Sequence, residues 1–281
     1  NQGTYGGGIF MRDGSEIHIQ DSVATENIAD LSDVLETRIR SNYDKSYDVS
    51  GGGFLYATES CKVEVSNSTL LNNVAKGAKG SGGAITISRS SEAILSELTV
   101  TSNFADFNGG QIAVDDSKVD ITASNFLNGE AKTNGGAFAF VGPLSDITVA
   151  TTSVSGHVAT LGGAVFVNGA KVKFEKQSSI RSNKAKVPNG NGGGFYIDAA
   201  GEVTVKDVTL ETNIAEGNGG AMFATGSSSI NLVDAIMTSN KAHGSGGGAC
   251  FLQSKSKLDA ANTQFTENEF VPMSIANPIT G

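Results

Sequence analysis

A pair of glycines, followed 20 to 22 residues later by a second anchor that is asparagine in seven units of nine, recurs nine times along this chain and leaves few folds open to it. The pairs are Gly6-Gly7, Gly51-Gly52, Gly82-Gly83, Gly109-Gly110, Gly135-Gly136, Gly162-Gly163, Gly192-Gly193, Gly219-Gly220 and Gly247-Gly248. The second anchor occupies Asn27, Asn73, Asn103, Gly129, His157, Asn183, Asn213, Asn240 and Asn268. Two residues beyond it comes alanine in eight of the nine units, as at Ala75, Ala105 and Ala215. Spacing from pair to anchor is nearly constant, whereas spacing from anchor to the next pair runs from 5 to 24 residues. Confining length variation to one corner is what a stacked scaffold does when its loops leave on one side.

Inside each unit the hydrophobic period is two. After the pair come runs such as Ile85-Thr86-Ile87 and Val165-Phe166-Val167, mid-unit runs such as Val63-Glu64-Val65 and Ile230-Asn231-Leu232, and before the anchor pairs such as Leu98/Val100 and Val208/Leu210. Alternation over short runs bounded by Gly, Asn and Ser marks half-buried strands, three per unit. No such strand is stable alone, but stacking each on its counterpart buries a continuous core. The pattern therefore predicts an all-β chain: a right-handed parallel β-helix, or β-solenoid, of about nine coils. Nine coils at the usual strand spacing make a rod ~40 Å long. The glycine pair is expected where the chain turns into the first strand with positive φ. The asparagines are expected at the opposite corner, in left-handed geometry and stacked as a ladder of shared amide hydrogen bonds that Gly129 and His157 interrupt.

Composition agrees. The chain has 36 glycines and only 4 prolines in 281 residues, without the three-residue period of collagen and with too many branched apolar residues for a linker. No apolar run reaches membrane-spanning length, so direct membrane insertion is not expected. A leader peptide, if the protein has one, is expected to lie outside this sequence. The net charge of −9 argues against nucleic acid and anionic membranes. Two cysteines, Cys61 and Cys250, cannot build a disulfide framework.

The two anchors resemble the repeat of the polymorphic membrane proteins, in which Gly-Gly-Ala precedes Ile, Leu or Val and a later Phe-x-x-Asn closes the unit. Gly82-Gly83-Ala84-Ile85 and Phe265-Thr266-Glu267-Asn268 match it literally, and other units place Leu70, Val100, Ile180, Leu210 or Met237 where the family has Phe. The resemblance covers about residues 6 to 268. It implies a secreted or surface-displayed passenger with adhesive or structural duty and no catalytic site, hence an extracellular or cell-surface location.

β-Helices also cleave or bind acidic polysaccharides, so the outward strand positions were read for chemistry. The first-strand column reads Phe10, Leu55, Thr86, Ala113, Ala139, Phe166, Tyr196, Phe223 and Phe251, with no charge from which a general acid or base could come. The mid-unit column reads His18, Glu64, Ile94, Asp120, Thr148, Lys173, Thr204, Asn231 and Asp259. Its nearest carboxylates, Glu64 and Asp120, fall two coils or roughly 10 Å apart, at the far edge of inverting-glycosidase geometry. With Ile94 between them, a solvated polar face is the simpler reading. His18, His157 and His243 lie in separate coils, Asp115-Asp116 reads as a solvated corner, and no metal or cofactor is expected. Cys250 is expected inward, beside Ile9, Phe54 and Val165, as an inert core thiol.

The aromatic-rich column Phe10, Leu55, Phe166, Tyr196, Phe223 and Phe251 is the candidate partner-binding stripe, unless the chain's own loops cover it. The insertion at 28–50 carries Leu31, Val34, Leu35 and Ile39 at helical spacing, which predicts a short amphipathic helix at about 30–40, able to lie over the stripe near Phe10. Asn67-Ser68-Thr69 is a glycosylation sequon, so Asn67 is a candidate acceptor. The chain is expected to form one domain over 1–270, with a tail at 271–281 that continues into a longer parent or a partner. The expected function is a non-enzymatic surface rod for adhesion, with a filament subunit and a polysaccharide-binding or polysaccharide-cleaving protein as the alternatives. Its partner would be a protein or a second copy, held at the apolar face, the loop corner or the coil ends.

Overall fold

The computed structural model describes residues 2–3, 5–31, 51–186 and 190–272. The chain winds as a right-handed parallel β-solenoid whose walls are four sheets, three of nine strands and one of ten. The coil opened by Gly82 shows the plan: Ile85–Ser88 in the first sheet, Glu92–Ser96 in the second, Thr99–Thr101 in the third and Phe104–Ala105 in the fourth. Each strand pairs in register with its counterpart in the neighbouring coils, so equivalent residues stack in columns.

The fourth strand is a correction to the three expected. It is two or three residues long, too short to display a period, and it begins directly after the asparagine. Its inward position is the recurring alanine, fully buried from Ala75 to Ala242. The predicted helix at about 30–40 overlaps this sheet at its start, because Ile28–Asp30 is a strand; residues 32–50 lie outside the described residues.

The glycine pair has two separate jobs. From the third unit on the first glycine takes positive φ, as Gly82, Gly109 and Gly162 do at 63°. The second has no space for a side chain: a Cβ on Gly83 would strike the Gly110 carbonyl of the next coil and the Phe104 backbone. The second unit contains three glycines in a row, and the structure selects Gly52-Gly53 as its pair, since Gly6 bridges Gly52 and Ile9 pairs with Leu55. The sequence expectation of Gly51-Gly52 was thus one residue out. Leu55 faces the core, and Tyr56 replaces it in the outward column between Phe10 and Thr86. Phe54 moves likewise, so Cys250 shares its column with Ile9, Leu55 and Val165.

The core is one continuous column of apolar side chains. Phe126 and Phe138 meet edge to face at 4.7 Å and Phe174 and Phe195 at 5.2 Å within it. Burial of such side chains, at about 1.5–3 kcal/mol each, supplies most of the stability that hydrogen bonding alone does not.

Candidate functional surface

The asparagine corner explains the second half of the repeat. Asn27, Asn73, Asn103, Asn183, Asn213, Asn240 and Asn268 stack on the inside of the corner, all but Asn268 buried. The Asn73 Oδ1 accepts from both the backbone N–H of Asn27 (3.1 Å) and its Nδ2 (2.8 Å). The Asn73 Nδ2 then donates to the Asn103 Oδ1 and to the Ala24 carbonyl. The same pattern runs from Asn183 through Asn213 and Asn240 to Asn268. These asparagines do not take left-handed backbone themselves. The residue before each one does, for example Ser102 at φ 54° and Ser182 at φ 55°, which aims the amide into the corner.

The expected interruptions are bridged. Gly129 has no amide, but Gln111 of the same coil reaches in from the position after the glycine pair. Asn103 Nδ2 donates to Gln111 Oε1 (2.5 Å), and Gln111 Nε2 donates to the Leu127 carbonyl. A Cβ on residue 129 would collide with the Gln111 side chain and with the Gly136 carbonyl, so a side chain at 129 is shut out on both counts. His157 stands in for the next asparagine: its Nδ1 accepts from the Gly129 N–H (2.9 Å), which assigns the proton to Nε2, and Nε2 donates to the Phe126 carbonyl (3.0 Å). Burial holds the ring neutral and pushes its pKa down to about 4. The sequence did carry a signal for Gln111, the one amide at a position otherwise held by Ala, Gly or Phe, in the one unit whose anchor is Gly.

The candidate stripe is largely covered. Thr86, Ala113 and Ala139 are fully buried, Phe166 is 1% exposed and Phe223 3%, while Tyr196 and Phe251 are half-buried and only Phe10 is open, at 45%. Phe166, Tyr196, Phe223 and Phe251 cover one another as a stack of near-parallel rings 5.1–5.7 Å apart. The rest of the cover comes from the turns leading into the glycine pairs. Asn108, Asn134 and Leu161 form a bridged ladder there, and Leu161 packs on Ala139, Val141 and Phe166. The Thr86 hydroxyl is held between the Gly51 and Ser81 carbonyls.

The open, patterned face is the outside of the second sheet. Its first column reads Glu16, Lys62, Glu92, Lys118, Asp146, Lys171, Glu202, Ser229 and Lys257, opposite in sign at six consecutive steps. Beside it lies the mid-unit column in the predicted register. At its start the His18 Nδ1 lies 2.8 Å from Glu64 Oε2 and Nε2 lies 3.2 Å from Glu16 Oε1. The Glu64 hydrogen bond raises the imidazole pKa above its usual value, and Glu16 adds to it. These residues line a shallow depression of about 120 Å³ with Lys62, Glu92 and Ile94. When the ring is protonated, both nitrogens donate to carboxylates and the imidazolium has no lone pair to act as a base. Ile94, 54% exposed, separates Glu64 from Asp120 as expected.

The fourth sheet carries a second set of ion pairs, Lys132 to Asp106 at 2.6 Å, Lys184 to Glu216 at 2.6 Å and Lys186 to Glu130. Asn67 sits in a left-handed corner at φ 42° with its Nδ2 on Asp21 Oδ1 at 2.6 Å, so a glycan there would displace that bond. Cys61 is buried against the Thr58 carbonyl, and Cys250 faces the Met237 sulfur with its thiol pushed up to about 12 by burial. Among the described residues no three His, Cys, Asp or Glu side chains are grouped to hold a metal ion, and no helix is long and apolar enough to cross a membrane. No family model, curated protein or solved structure matches the chain.

Proposed function

We propose that this chain is the rod of an extracellular or surface-displayed protein of the polymorphic membrane protein type, and that it acts in adhesion rather than catalysis. The observation that carries the reading is the amide ladder, whose buried corner groups Gln111 and His157 partner where two of its asparagines are missing. Buried hydrogen bonds stacked along one corner in this way serve the stiffness of a rod. The roles of the glycine pair and of the asparagine also give physical content to the two motifs on which the resemblance rests. On the outside, the alternating charges of the second sheet and the loop corner offer a broad binding surface.

Beads coated with the chain should attach to cell layers or extracellular-matrix proteins above albumin-coated beads. Attachment should fall when Lys118 and Lys171 are both changed to Glu, while the far-ultraviolet circular dichroism stays the same. Release of new reducing ends or unsaturated products from a panel of polyuronates, without attachment, would reverse the reading in favour of a polysaccharide-cleaving solenoid.

A further inference from the structure

Four of the nine units place asparagine directly before the glycine pair, at Asn108, Asn134, Asn191 and Asn218. In a free chain an Asn-Gly step is the peptide unit most open to attack on its own side chain, because glycine puts no Cβ in the way of its amide nitrogen. The reaction needs that nitrogen to give up its proton and the asparagine Cγ to swing onto it. The fold withholds both. The N–H groups of Gly109, Gly135 and Gly192 donate to the carbonyls of Asn134, Leu161 and Asn218 in the next coil, each at 2.9 Å, and that of Gly219 donates to Gly246 at 3.3 Å. The side chains are tied as well. Asn108 Oδ1 accepts from Asn134 Nδ2 (2.9 Å), Asn191 Oδ1 from the Asn218 N–H (2.7 Å), and Asn218 Oδ1 from the N–H groups of Ser245 and Gly246.

We propose that these four asparagines are deamidation sites that the solenoid keeps shut and that open only when two neighbouring coils unpair. The glycine nitrogen then bonds to the asparagine Cγ, the Cγ–Nδ2 bond breaks, and ammonia leaves with the glycine proton, which closes a succinimide ring. Water opens the ring at either carbonyl and leaves aspartate or isoaspartate, with no change of oxidation state. Isoaspartate carries its methylene in the main chain and so displaces the glycine pair behind it. That is where the fold has least room: a Cβ on Gly110, Gly136, Gly193 or Gly220 would already strike the carbonyl of the second glycine in the next coil. A coil altered there cannot pair again, so the chemistry makes unfolding irreversible. Asn168-Gly169 is the internal contrast. It sits at another corner, where a Cβ on Gly169 would meet nothing nearer than the Ala199 carbonyl at 3.6 Å, so the same lesion is tolerated.

This inference is independent of the adhesive reading. The test ages the full 281-residue chain at mildly alkaline pH, once folded in buffer and once unfolded in guanidinium chloride, and maps isoaspartate by peptide digestion. At the four asparagines the folded chain should react at least about tenfold more slowly, because only the population with coils unpaired reacts. Chains aged in denaturant, to the point where few carry more than a single change, are then returned to buffer, and the folded and unfolded fractions are mapped separately. Isoaspartate at Asn108, Asn134, Asn191 and Asn218 should gather in the fraction that fails to refold, while isoaspartate at Asn168 appears in both. Equal rates in the folded and unfolded chain overturn the gating, and an even division of the four lesions between the fractions overturns the block to refolding.

Discussion

At the scale of single residues, Gln111 and His157 show how the corner tolerates variation only when its hydrogen bonds are kept. Gln111→Ala removes one of two acceptors of the Asn103 Nδ2, which keeps the Leu70 carbonyl, and one of two donors to the Leu127 carbonyl, which keeps the Ser102 N–H, so it should cost about 0.5–1.5 kcal/mol in urea unfolding. Adding Gly129→Asn to that variant supplies the usual side-chain amide, but its Cβ still meets the Gly136 carbonyl at 2.6 Å, so the double change should recover little of the loss. His157 makes stability depend on pH with a definite sign. Its pKa in the folded chain lies below the usual value, so its contribution is complete above pH 6.5 and is lost as pH falls towards about 4. The full loss is about 3 kcal/mol at ~1.36 kcal/mol per unit. His157→Asn should flatten the unfolding midpoint over that interval. The exposed His18 works in the opposite direction: its raised pKa means that its ion pairs stabilise at low pH and fade as pH rises through that pKa.

At the scale of the strand and its turn, the glycine pair is the least replaceable element. Gly163→Ala would drive a methyl into the Gly193 carbonyl and the Lys184 backbone, neither of which can move without unpairing two coils. It should prevent folding or cost more than about 3 kcal/mol, and a thermal melt beside Ala164→Gly, a change of similar size one residue away, will show whether it does. The charge column acts more weakly. Lys118→Glu sets three carboxylates in a row with Glu92 and Asp146, which should cost about 0.5–1 kcal/mol and be relieved by salt. The one-residue error in the second unit belongs to this scale as well. Gly51, Gly52 and Gly53 are chemically identical, and only pairing with Ile9 and Ile85 decides that Leu55 turns inward and Tyr56 outward.

Across the whole molecule, stability should grade along the rod. Each inner coil is held by two neighbours, whereas among the described residues the first and last coils have a full neighbour on one side only. Phe126→Ala, in the middle, should cost about 3–5 kcal/mol, and Phe265→Ala much less. Hydrogen exchange should find the amides of the Phe138–Val141 strand slowest and those of the Gln264–Thr266 strand fastest; equal rates would mean that the ends are covered in solution.

The sequence by itself determined the solenoid: a fixed repeat, period-two alternation, and glycine and asparagine at two corners admit one way to bury the apolar positions. It also determined the column order of the second sheet, because the short turn before that sheet leaves the register no freedom. Only the tertiary structure decided three further points. The fourth strand is too brief to leave a periodicity. The aromatic column is covered by turns that arrive from a neighbouring corner, a contact no alternation pattern records. And Asn103 keeps a side-chain acceptor because Gln111 and Gly129, 18 residues apart in the chain, meet at one corner of one coil. Local pattern reports which face a residue takes, while contacts between corners depend on how the coil closes.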